Sequence, residues 1–87
     1  MYRIEYSNQF IKQLNKLDKY NQKLILKWIK NHIYHCENPR IYGKGLTANL
    51  TGYWRYRIAD YRLIVEIKDK DLVIVAVSVA HRRDVYI

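Results

Sequence analysis

Residues 53 to 68 read YWRYRIADYRLIVEIK, and two alternating runs broken only by Ala59 and Asp60 leave little choice but an antiparallel β-hairpin. Successive side chains on a strand point to opposite faces. With a two-residue turn, Ile58 stands opposite Tyr61, Arg57 opposite Arg62, Tyr56 opposite Leu63 and Arg55 opposite Ile64. One face then carries Trp54, Tyr56, Ile58, Tyr61, Leu63, Val65 and Ile67, a surface for helices to cover. The other carries Arg55, Arg57, Arg62, Ile64 and Glu66. Like charges directly opposite on a sheet repel, at a typical cost of up to ~1 kcal/mol. An anion between Arg57 and Arg62, above all a phosphodiester, would account for the pairing.

The rest of the chain supplies the layers this hairpin needs. YRIEY (Tyr2 to Tyr6) alternates and reads as a strand. Ser7 or Asn8 can cap a helix with Phe10, Ile11, Leu14 and Leu17 at helical spacing. A second helix is predicted from about Tyr20 to about His35, with Leu24, Ile25, Trp28, Ile29 and His32 or Ile33 as its buried stripe. ENPRIYGKGL holds the only proline and two of the three glycines and reads as the main loop. Leu72 to Ala80, the longest apolar run, is the last strand, joined to the hairpin by the short turn DKD. The predicted order is β-α-α-β-β-β. The fold class is α+β, a helical hairpin packed on one face of a mainly antiparallel four-stranded sheet. The first strand pairs at an edge beside one of the later strands, and the pattern does not say which.

At 87 residues the chain reads as one domain, 1–87, with a single core. No apolar run approaches the ~20 residues of a membrane span, and no signal-peptide pattern opens the chain, so the cytoplasm is the expected compartment and no membrane partner is expected. The lone Cys36 forms no internal disulfide. Sixteen Lys and Arg against eight Asp and Glu give a net charge of +8, which points to a polyanionic partner. Seven of the nine lysines lie between Lys12 and Lys44, whereas five of the seven arginines lie between Arg55 and Arg83. Arginine offers a rigid donor fork matched to phosphate oxygens, and lysine a flexible point charge. The segregation predicts a solvated lysine face and a separate arginine site. The last strand should return beside Arg62, so HRRDVY (His81 to Tyr86) is expected to emerge next to Arg57 and Arg62 on one end of one face.

From Tyr53 onward the chain resembles the RelE branch of the RelE/ParE toxin superfamily, through GYWRYRIADYRLIVEI, the acidic turn KDKD, the apolar strand and the terminal HRRDVY. FIKQLNKLD, the second amphipathic helix and NPR extend the resemblance over essentially the whole chain. It implies an mRNA interferase, an endoribonuclease acting in the ribosomal A site and neutralised by a RelB-like, acidic antitoxin, with the ribosome and mRNA as partners and operator DNA reached through the antitoxin complex. Arg62 matches the family's active-site arginine, Arg82 or Arg83 the arginine of the C-terminal motif, Tyr86 its tyrosine and His81 a histidine found there in many members. Arg55 and Arg57 stand where basic residues, often lysines, occupy the preceding strand. As arginines they keep their protons and cannot serve as general bases.

RNA cleavage that uses the ribose 2′-hydroxyl as nucleophile requires no cofactor, only positioning, charge neutralisation at phosphorus and proton movement. Arg57, Arg62 and Arg82 or Arg83 suit the charge role, with Lys44 and Arg55 assigned to RNA binding. His81 is the proton-transfer candidate, with neighbouring guanidinium groups expected to favour a neutral, base-competent ring. Tyr86 can stack on a base, orient the phosphate or serve as an acid. No metal site is assigned: His32, His35 and Cys36 have ligand chemistry at helical spacing but lack a fourth ligand. Two rival functions are a ParE-like poison of DNA gyrase with the same fold and a non-catalytic nucleic-acid-binding or repressor subunit.

Overall fold

The computed structural model describes residues 1–84. In chain order these form β1 (Arg3–Tyr6), α1 (Asn8–Asn15), α2 (Lys19–His32), β2 (Gly43–Gly45), β3 (Tyr53–Ile58), β4 (Tyr61–Lys68) and β5 (Val73–His81). Among the described residues the strands make one five-stranded sheet in the order β1-β5-β4-β3-β2. Only the β1–β5 pair is parallel. The α+β class and the leading β-α-α order are as the sequence predicts, and the first strand takes the β5 edge. The sheet holds one strand more than the predicted four, because GKG, read as loop, pairs with β3.

Glycine has poor strand propensity, so β2 exists for a packing reason. A Cβ on Gly43 would collide with the Arg55 carbonyl and come within 2.8 Å of Tyr56 Cδ1, and one on Gly45 would come within 2.8 Å of Trp54 Cζ3. The bare backbone lets the rings of Trp54 and Tyr56 lie over β2 on the helix side, while Lys44 between the glycines pairs with Arg55 on the other side.

Ser7 caps α1, its Oγ accepting from the Phe10 N–H at 3.0 Å. Asp18 caps α2. Phe10 and Leu14 of α1 and Ile25, Ile29 and Ile33 of the second helical segment bury against Tyr56, Ile58, Leu63, Val65, Ile74, Ala76 and Val79. Trp28 and Trp54 pack at the margin of this core, partly buried. Two details differ from the predicted pattern. Ile11 is 43% exposed and lies off the buried stripe. The second helix stops at His32, because Ile33 caps it and His35 turns left-handed at φ 60°. Ile33 therefore takes the buried position, and the His32 ring stacks on Trp28, centroids 4.4 Å apart.

Strand β5 carries a bulge. Ile64 pairs with Ser78 but Val65 pairs with Ala76, so Val77 is the extra residue. Strand β1 pairs with β5 only as far as Ala76, and α1 completes the exposed edge beyond it. Ser7 Oγ donates to the Val77 carbonyl at 2.8 Å, and the Val79 N–H donates to Gln13 Oε1 at 2.8 Å. Arg40, outside the arginine cluster, grips Asp69 with both guanidinium nitrogens at 3.0 and 2.9 Å, and the Tyr2 hydroxyl donates to the same carboxylate at 2.7 Å. No helix among the described residues is long and apolar enough to cross a membrane.

Candidate nucleic-acid site

The β3–β4 register is the one the two-residue turn demands: Ile58 faces Tyr61, Arg57 faces Arg62, Tyr56 faces Leu63 and Arg55 faces Ile64. Ala59 makes the turn at φ 53°. Tyr56, Ile58, Leu63 and Val65 are buried under the helices, which leaves Arg55, Arg57 and Arg62 on the outer side of the sheet.

Two further cations join them. Lys44 lies beside Arg55 across β2 and β3. After β5 the chain folds into a short 3-10 turn, Arg82–Asp84, whose Arg82 N–H donates to the Asp60 carbonyl at 2.7 Å while Arg82 Nε stands 3.8 Å from Asp60 Oδ1. Of the two adjacent arginines, both exposed, Arg82 is thus the one that contacts the hairpin turn. Arg62 Nη1 donates to the Ala59 carbonyl at 3.1 Å and the Tyr61 carbonyl at 2.9 Å. Its pKa is lowered, first by desolvation and then by the charges of Arg57, Arg55 and Arg82, with Asp60 opposing. The guanidinium remains charged at any physiological pH. Among the described residues no carboxylate lies within ion-pair distance of Arg55, Arg57 or Arg62. A cleft of about 340 Å³ opens beside them, lined by Ile41, Tyr42, Gly43, Lys44, Arg55 and Arg57.

His81 stands apart from this group. It pairs with Tyr61, whereas Ala80 pairs with Arg62, so His81 shares the helix side of the sheet, its ring edge-on to Tyr61 at 5.5 Å. The bulge is the cause. One extra residue inverts the alternation of everything beyond it, and in an unbroken register, with Val77 opposite Ile64, His81 would fall on the arginine side. The expected convergence on one face holds for Arg55, Arg57, Arg62 and Arg82 and not for His81, which lies at the same end of the sheet around the corner. The ring's chemistry differs as well. His81 Nδ1 faces the Arg83 N–H at 3.2 Å and accepts from it, so the proton of the neutral ring sits on Nε2. The other ring nitrogen, Nε2, is then the N–H of the neutral ring. Tyr86, assigned to the site by resemblance, lies outside the described residues.

His32 Nδ1 lies 2.9 Å from the Trp28 carbonyl. Among the described residues no group of three or more His, Cys, Asp or Glu is placed to hold a metal ion. Sequence reading missed the segment 46–50, which covers Ile64 on the charged side. Its one available signal was Ile64 itself, an apolar residue in phase with the arginines.

The family described as "ParE toxin of type II toxin-antitoxin system, parDE" matches residues 4–86. The chain belongs to the RelE/ParE superfamily of type II toxins. This toxin is also similar in structure to the RelBE2 toxin–antitoxin complex of Mycobacterium tuberculosis, with 25% identity and a TM-score of 0.85 over 95% of this chain and 93% of that one. The archaeal RelE–RelB complex of Pyrococcus horikoshii OT3 is 27% identical, with a TM-score of 0.70 over 97% of this toxin and 98% of that chain. The isolated RelE toxin of E. coli shares the fold at 20% identity, with a TM-score of 0.73 over 93% and 84%. No curated protein matches this toxin in sequence. The family description thus names ParE while these structural neighbours are RelE toxins, and both belong to the one superfamily.

Proposed function

We propose that this toxin is an mRNA interferase, an endoribonuclease that cuts messenger RNA in the ribosomal A site and is neutralised by an acidic antitoxin. The observation that carries the reading is the pair Arg57 and Arg62, directly opposed on the outer side of the sheet and flanked by Arg55 and Arg82. That arrangement suits a phosphodiester whose charge rises during reaction. The ribose 2′-hydroxyl gives its proton to water and attacks phosphorus, the bond to the 5′-oxygen breaks and that oxygen takes a proton from water, leaving a 2′,3′-cyclic phosphate and a 5′-hydroxyl. Arg57 and Arg62 stabilise the extra negative charge at phosphorus, and the same positive field lowers the cost of ionising the 2′-hydroxyl. Lys44 and Arg55 hold the neighbouring phosphates. Arg82, tied to Asp60 at the turn, adds its charge to the turn end of the cluster. His81, with its proton on Nε2, serves as a hydrogen-bond donor to RNA that passes over the end of the sheet.

The RelE toxins in the M. tuberculosis and P. horikoshii structures are complexed with antitoxins. A net charge of +8 and an open arginine surface suit an acidic segment that orders on binding. A second reading, poisoning of DNA gyrase, is favoured by the ParE family description. Primer extension on messenger RNA after induction separates the two. Cuts in phase with codons support the interferase. DNA breaks with intact messages support the gyrase poison, and neither product leaves a binding subunit.

A further inference from the structure

Ile64 is an apolar residue in the middle of a charged surface, yet it is only 3% exposed. The segment 46–50 shelters it, folding over the outer side of β3 and enclosing a second cleft of about 350 Å³ lined in part by Leu46, Leu50, Ile64 and Arg55. Arg55 lines both clefts. Ala48 holds the segment's bend in the left-handed region at φ 57°, a conformation unfavourable for an L-residue. It is fastened there by the Thr51 hydroxyl, which donates to the Ala48 carbonyl at 2.7 Å.

The geometry points to a nucleobase pocket: the RNA base adjoining the phosphate held by Arg55 enters the cleft between Leu46, Leu50 and Ile64, and the exposed Asn49 reads its edge. The inference rests on the RNA-cutting function proposed above and names how that site would choose its sequence. A base offers apolar faces for the two leucines, and the Arg55 guanidinium plane can stack on it. The amide of Asn49 supplies both a donor and an acceptor, as reading a base edge requires. The cleft opens at Arg55 onto the line of cations that any bound strand must follow, which favours RNA over an apolar peptide side chain as occupant.

Two measurements test it. Hydrogen exchange with an uncleavable RNA oligonucleotide carrying 2′-deoxyribose at the cut position is expected to protect residues 46–50, whether or not the toxin cuts. In primer extension, Asn49→Ala and Leu50→Ala are expected to flatten the base preference at one position beside the cut by about fivefold or more. Asn49 is exposed, so its variant keeps the test open if Leu50→Ala does not fold. RNA binding with residues 46–50 unprotected, protection by an acidic antitoxin peptide alone, or both variants cutting with wild-type preference would each overturn the pocket. A wild-type toxin that protects 46–50 with RNA but cuts no message would instead overturn the nuclease reading and leave the pocket standing.

Discussion

Single residues carry the chemistry, and two of them behave differently from their sequence context. His81 presents an Nε2 donor because its Nδ1 is engaged by the Arg83 N–H. His81→Gln keeps a terminal N–H without a titrating ring, so cleavage is expected to stay within about tenfold of wild type, with the pH profile unchanged in shape. A loss of about a hundredfold or more together with an altered profile would return His81 to proton transfer. Asp69 is the second case. The Arg40 fork, then the Tyr2 hydroxyl, holds its carboxyl below the usual carboxylate range. A depressed folded-state pKa adds stability that is present above the ordinary value, about 4, and lost as pH falls through the folded one. Thermal melts from neutral to acid should therefore drop most steeply below about pH 4, and Asp69→Asn should flatten that fall. An unchanged acid limb in Asp69→Asn would remove Asp69 from the account.

Among the elements, the β3–β4 hairpin was legible in the sequence because alternation and a two-residue turn leave one register. Strand β2 was not, since two glycines in three residues carry no strand signal and only the overlying rings of Trp54 and Tyr56 explain it. The phase of His81 was hidden by the bulge at Val77. In hindsight Ser78 marks it: unbroken alternation from Ile74 and Ala76 would turn Ser78 into the core, whereas the extra residue turns Val79 there instead. The bulged edge is completed by side chains of α1, with Gln13 Oε1 accepting from the Val79 N–H. Gln13→Ala leaves that donor unpaired and is expected to cost about 1–2 kcal/mol in denaturant unfolding. No loss of stability would mean that the contact does not hold the bulge. At the turn, Ala59→Gly removes a left-handed alanine and is expected to be neutral or to stabilise by up to about 1 kcal/mol.

For the molecule as a whole, the sheet divides its labour between two sides. The helix side holds the apolar core, and the outer side concentrates Lys44, Arg55, Arg57 and Arg62 with no carboxylate paired to the three arginines among the described residues. If those four cations meet RNA phosphates, log K for a short single strand should fall with log salt at a slope of about −3. A slope near zero would place binding elsewhere. The central claim is that this repulsion is retained for a ligand and not for the fold, and one variant, Arg57→Ala, measures both sides of it. Thermal melting and primer extension on the same protein should give a melting temperature equal to or above wild type, with messenger RNA cutting reduced by about a hundredfold or more. A protein that melts markedly lower while cutting at the wild-type rate would contradict the claim.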